Sequence, residues 1–369
     1  MFISPVNWKP VEKITGYVIA LDIGATKIES EVLPVIDGKV GPTVILNKRI
    51  ERYTSLDRDI KEAISHAREN NLTPLIAAGV FPPGPINEKD QTIFITNRRE
   101  LGNDGIVHLG DLANEVNLPI LFGNDVGNGW AGFVQWGPRE NDLHSLRLGE
   151  KRSNNFALLA PGGGLGGCVM QDGKPASAEP GHVPFNHAHQ PDLRKLDKWL
   201  GDESRFEGQP CFEDVACGPG LLNLLDYVYN KLYGQEIPER FKTLRAEDSN
   251  EAIAQIAKEA RDGSDVGCVR AMELYVQCLG SLAGIMACIG PATGGFFLGG
   301  ANAAKDLPFF KGHRYEFIKA FQPQRKLRRD GINVFTGSIP IRVIVNQCAP
   351  TIGAAHSVVL ELQRQIRQK

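Results

Sequence analysis

The chain reads as an α/β protein made of two halves that open alike. Two observations predict this. Each half begins with an apolar strand, a glycine-rich turn and a second strand: LDIGATK at Leu21–Lys27 and PGGGLGG at Pro161–Gly167. Helical segments then alternate with further strands. The length, 369 residues, suits about two domains. Glycines in such turns let backbone N–H groups approach phosphate oxygens with no Cβ in the way.

Taken in order, the first half alternates in strand fashion over 17–22, 27–35 and 44–53, with turns such as Asp37-Gly38 between. A helix is expected near 57–70 and a strand over 75–80. Phe81-Pro-Pro-Gly-Pro85 then cannot continue a ladder. Residues 109–117 read as a helix, and Pro119–Phe122 as a short strand that delivers Gly123-Asn124-Asp125. The stretch 137–155 is charged and poor in apolar residues, which predicts a surface excursion. Strands resume at 156–159 and 167–171. Gly218-Pro-Gly220 opens an amphipathic helix over 221–228. A long apolar-faced helix covers 265–289, a strand at 296–300 runs into a glycine turn, a last strand spans 341–345, and a helix over 351–368 closes the chain.

Composition excludes several classes. The net charge of −2 offers no electrostatic reason to bind nucleic acid or a membrane surface. The basic run at 325–329 is short and followed by Asp330, so it reads as a solvated loop or helix end. The N-terminus has neither a basic start nor an apolar stretch of signal-peptide type. No window approaches the roughly 18 uninterrupted apolar residues of a membrane span. Seven scattered cysteines point to reduced thiols and a cytoplasmic location. His182, His187 and His189 lie near Cys211 and Cys217 in sequence, but no C-x-x-C or C-x-C pair accompanies them. A structural zinc stays open on this reading, with separate thiols buried as small apolar groups the better one.

Several residues could carry chemistry. Asp125, at the end of a short apolar strand, sits where α/β folds collect ligand groups and could take a proton from a hydroxyl nucleophile. An Asx turn or helix N-cap before Gly127 reads the same residues equally well. In Glu179-Pro-Gly-His182 the tight loop allows both polar side chains to face one pocket, where they would suit vicinal sugar hydroxyls. Taken alone, such a Glu and His are more often surface groups. Glu213-Asp214 by itself reads as a capped or solvated helix turn. G-x-G-x-x-G can be forced onto Gly162–Gly167, but no helix follows it, so a dinucleotide site is disfavoured; no G-x-x-x-x-G-K-[ST] loop exists. Gly299-Gly300 could let adenine or ribose lie against the backbone, or make a plain tight turn.

The ordered set LDIGATK, AGVFPPGPI, GNDVGNGWAG, PGGGLGG, EPGH, CFEDVACGPGL and FFLGGA resembles the ROK and bacterial-glucokinase group of sugar kinases, in the actin–hexokinase–Hsp70 superfamily. The resemblance runs from about 17 to 356. It implies two ribonuclease H-like (actin-like ATPase) domains around a central cleft, each a mixed β-sheet flanked by helices and closing on the sugar. The smaller would hold 1–128 with the closing helix 352–369, the larger 129–351. It also implies roles: Asp22 near Mg²⁺; Gly24, Thr26, Lys27, Gly162, Gly163 and Gly164 at the phosphates; Gly299 and Gly300 at the adenosine; Asn124, Glu179, His182 and Glu213 on the sugar; and Asp125 as base.

The implied reaction is ATP-dependent phosphorylation of a hexose, glucose first, at the 6-hydroxyl. A non-catalytic or very slow sugar sensor on the same fold is the alternative. The roughly 16 residues ahead of the first strand are too few for the helix-turn-helix of ROK repressors. The chain departs from the family at Ala25, usually glycine, and at Gly163, commonly threonine. A hydroxyl bonded to a charged phosphate is worth roughly 1.5–3 kcal/mol. The family's zinc cluster is absent, with only Cys211 matching its last cysteine, so no zinc is expected. A homodimer is the expected assembly.

Overall fold

The computed structural model describes residues 2–3, 14–23, 28–41, 44–50, 56–84, 86–87, 89–90, 92–94, 106–108, 115–116, 118–185, 190–202, 208–300, 302–312, 316–322 and 331–367. Gly24, Ala25, Thr26 and Lys27 of the first glycine loop lie outside the described residues. So do most of the helix expected at 109–117, His187, His189 and the basic run at 325–329. The chain divides into two compact units: Met1–Arg139 with Asn346–Lys369, and Glu140–Val345. These bounds differ from the expected 128/129 and 352, because the helix Ala131–Trp136 packs with the closing helix Ala349–Arg367 in the first unit.

In the first unit, strand Gly16–Ile23 lies between antiparallel Ile28–Ile36 and parallel Leu75–Phe81, and Leu75–Phe81 pairs in parallel with Ile120–Phe122. Val44–Ile50 and Lys39–Val40 pair with Ile28–Ile36, while Phe2–Ile3 borders Ile120–Phe122. Successive strand side chains point to opposite faces. Ile19, Leu21 and Ile23 therefore join Ile60, Ile64 and Ala67 of helix Leu56–Glu69, whose apolar residues recur every three or four positions. Each such isoleucine or leucine side chain, when fully buried, contributes about 1.5–3 kcal/mol. The closing helix packs on this sheet. At Gly79 a Cβ would lie 2.8 Å from Val358, and Thr351 Oγ1 donates to the buried Glu31 carboxylate at 2.8 Å.

In the second unit, strand Phe156–Pro161 folds back on Leu165–Gln171 through the three-residue turn Gly162–Gly164, and Lys174–Ala178 extends the hairpin. The second glycine loop is thus a hairpin turn with no helix behind it, which removes the dinucleotide fingerprint. On the other side Phe296–Leu298 and Ile341–Ile344 add in parallel. Both units thus share one spatial order: two parallel strands, the strand that leads into the glycine-rich segment of the sequence, and its antiparallel partner. The charged stretch read as a surface excursion contributes an edge strand, Leu143–Arg147, antiparallel to Ile341–Ile344. Its half-buried arginine explains the misreading: Arg147 donates to the carbonyls of Thr336 and Ile339, so a charged residue works inside the fold.

Helix Val266–Ile289 is long and apolar enough to cross a membrane, but 72% of its most apolar window is buried within the unit. It is the central core helix. Asp265 caps it, accepting from the Cys268 N–H at 2.9 Å.

Candidate active site

In the first unit the polar residues gather where the parallel strands end. Asp22 lies near the C-terminal end of Gly16–Ile23, in register with Phe81. Ile120–Phe122 ends two residues before Asn124, and Asp125 opens the π-helical turn Asp125–Trp130. The Asp125 N–H reaches the Pro82 carbonyl at 3.4 Å. Both carboxylates are half-buried on the same edge of the sheet, the edge at which α/β folds place ligand groups.

Asn124 holds the turn. Its side-chain oxygen accepts from the Val126 N–H at 3.0 Å and the Gly127 N–H at 2.9 Å. The N-cap that the sequence allowed is therefore Asn124, and Asp125 is the first residue of the turn. With two N–H groups on its oxygen, Asn124 offers a ligand its NH₂ group. A contact not foreseen from the sequence completes the arrangement: the Asn128 side-chain oxygen accepts from the Asn124 N–H at 3.1 Å. The four-residue spacing between two asparagines, the second answering the first one position later than in a capping box, was the available signal.

In the second unit the glycine turns adjoin. The Gly162 N–H donates to the Gly164 carbonyl at 2.8 Å, and the Gly162 carbonyl accepts from the Gly218 N–H at 2.8 Å. Gly218, which read only as a helix start, thus ties a second glycine segment to the loop. Gly162 lies outside the positive-φ region, and a Cβ there would meet nothing within 4 Å. Neither backbone strain nor packing calls for glycine at 162. Its effect is to leave the backbone bare, which fits an approaching phosphate chain. The amides of Gly163 and Gly164 are the loop's remaining donors, since Gly162 spends its own within the turn. Gly300 differs. Its φ is +93°, and a Cβ would collide with the Pro161 carbonyl, so this glycine packs the turn against the loop. The Gly299 N–H reaches the Leu159 carbonyl at 2.8 Å.

Glu179, His182 and Glu213 converge. Pro180–His182 forms a single 3₁₀ turn, and His182 Nε2 stands 3.5 Å from Glu213 Oε2. The Glu213 carboxylate passes over Gly181, where a Cβ would lie 3.0 Å from it. Burial raises the carboxyl pKa of both Glu179 and Glu213 above the usual range. His182 opposes the rise, while Glu213 adds to it at Glu179 and Asp214 at Glu213. The two carboxyls and an imidazole that is 64% exposed form a polar cluster able to accept and donate hydrogen bonds. Cys217 beside it is buried and donates its thiol to the Glu213 carbonyl at 3.0 Å; burial pushes that thiol up to about 12.

Comparison with known proteins identifies the type of protein to which this architecture belongs. A glucokinase from an Antarctic psychrotroph shares the fold, with a TM-score of 0.70 at 20% identity over 94% of this chain and 99% of that one. A ROK family glucokinase from Streptomyces griseus, solved with glucose and AMPPNP, does so with a TM-score of 0.60 at 19% identity, over 92% and 98%. In sequence, the chain is 27% identical to a glucokinase of Nostoc over 259 residues, 66% of this chain and 72% of that protein. The chain belongs to the glucokinase family, whose model matches residues 19–360.

Proposed function

We propose that this protein is an ATP-dependent hexose kinase that phosphorylates the 6-hydroxyl, with glucose the first substrate to try. The observation that carries the reading is the convergence of Glu179, His182 and Glu213, drawn from two separate segments, in the unit that also holds the bare glycine turn Gly162–Gly164 and the packed turn Gly299-Gly300. Glucokinase relatives and the glucose- and AMPPNP-bound neighbour support it.

Asp125 takes the proton of the 6-hydroxyl as its oxygen attacks the γ-phosphorus; the bond from that phosphorus to the bridging oxygen breaks, and ADP leaves. Glu179 and Glu213 accept hydrogen bonds from sugar hydroxyls, and His182 and the Asn124 NH₂ group donate. Backbone N–H groups of Gly163 and Gly164 take phosphate oxygens, Gly299 and Gly300 lie along the adenosine, and Gly24, Thr26 and Lys27 serve the phosphates from the first loop. Asp22 would hold Mg²⁺ through its water shell, where the ion's charge offsets that of the phosphates.

The test is a coupled ADP-release assay with Mg-ATP over a panel of hexoses. Sugar-dependent ADP release is expected, reduced about 10²- to 10⁴-fold in Asp125→Ala. No release with any hexose would sink the kinase reading; sugar binding by calorimetry without turnover would favour a sensor, the reading that glycine in place of a hydroxyl at 163 suggests.

A further inference from the structure

We infer that Asn128 is a positioning residue that sets Asn124 and Asp125 in place; the inference rests on the reading of Asp125 as base. Past Phe122 the chain leaves the sheet, so the Asn124 N–H needs an acceptor outside the ladder. Asn128 supplies it from one turn further on, Oδ1 to N at 3.1 Å, while its own N–H donates to the Asn124 carbonyl at 2.9 Å. In return the Asn124 side chain caps the turn through Val126 and Gly127. Asp125 is thus held between two residues that each bond the other's end of the turn.

Three further observations support a built device. Asn128 is only 6% exposed, and a buried amide is costly unless bonded. Gly123 is required by it, because any Cβ there would collide with the Asn128 side chain and also press on Phe81. The Asn128 carbonyl is in turn gripped by Ser357 Oγ of the closing helix at 2.8 Å. The turn carrying Asp125 is therefore braced from the sheet, from within and from the closing helix.

The experiment compares Asn128→Ala, Asn128→Asp and Asp125→Ala with wild type for kcat, sugar KM, thermal midpoint and the pH profile of kcat. Asn128→Ala should lower kcat roughly 10- to 100-fold, the scale of a small misplacement of a reacting group. Its sugar KM should change by a smaller factor than kcat, because Asn124 keeps its own bonds to Val126 and Gly127 while the chemical step depends on Asp125. Asn128→Asp keeps the acceptor and should recover most of kcat above neutral pH. Its acid limb should shift to higher pH, because a second carboxylate near Asp125 disfavours the charged form of both.

A kcat within about twofold of wild type in folded Asn128→Ala overturns the inference, as does an Asn128→Asp no better than Asn128→Ala at any pH. Should Asn128→Ala not fold, the acid limb of Asn128→Asp decides, and an unshifted limb overturns it. Full turnover in Asp125→Ala removes the base assignment itself. A dead Asp125→Ala beside an unaffected Asn128→Ala removes only the positioning role.

Discussion

The oxygen of the Asn124 amide is committed to two backbone N–H groups, which splits the residue into a structural half and a binding half. Substitutions separate the two. Asn124→Asp keeps an oxygen for the cap and loses the NH₂ group, so its thermal midpoint should stay near wild type while sugar affinity falls. Asn124→Ala loses both and should also cost about 1 kcal/mol of stability. Thermal melts paired with calorimetric sugar titration check this; equal sugar affinity in Asn124→Asp and wild type would remove Asn124 from the sugar. Asp125 was singled out from its place at a strand end, and the structure keeps it there. What residue-level pattern could not supply was the direction of each amide and the closeness of His182 to Glu213, set by a turn and a helix start from distant stretches of chain.

At the scale of elements, the two glycine turns of the second unit hold glycine for different reasons. Gly300 holds a φ that strains any other residue and is packed against Pro161, whereas neither is true of Gly162. Gly300→Ala should therefore destabilise the protein by about 1–3 kcal/mol. Gly162→Ala should leave the thermal midpoint unchanged and raise KM for ATP, since the added methyl stands where the backbone is bare. Denaturant melts and steady-state kinetics on the pair test the contrast; an unaltered ATP KM in Gly162→Ala would separate this loop from the nucleotide. The hairpin itself was readable, because two apolar runs flank a glycine cluster. The edge strand Leu143–Arg147 was not, because its partner Ile341–Ile344 lies far along the chain and its polar residues carry no strand pattern.

At the scale of the molecule, the first unit is discontinuous: its sheet comes from the start of the chain and is completed by the closing helix. That helix carries His356, whose imidazole burial holds near 4, below its ordinary 6.5. The unfolded chain takes up a proton there as pH drops through 6.5 while the folded chain does not, so stability is full above that pH and declines toward 4. The loss should reach as much as about 3 kcal/mol. Melting midpoints from pH 8 to 4 should show the decline, and His356→Gln should flatten it; an equal slope in that variant would place the effect elsewhere.

By itself the sequence determined the α/β class, the repeated opening of the two halves, the glycine turns, the closing helix and the resemblance to sugar kinases. All of these are written in periodicity and turn chemistry spanning a few neighbouring residues. Only the tertiary structure decided that Glu179, His182 and Glu213 meet, that Asn128 braces the Asp125 turn, that Gly300 is packed while Gly162 is open, and that the chain returns at Asn346 to finish its first unit. Each of those depends on which distant segments come into contact, and so on side-chain direction, desolvation and close approach, which local pattern does not encode.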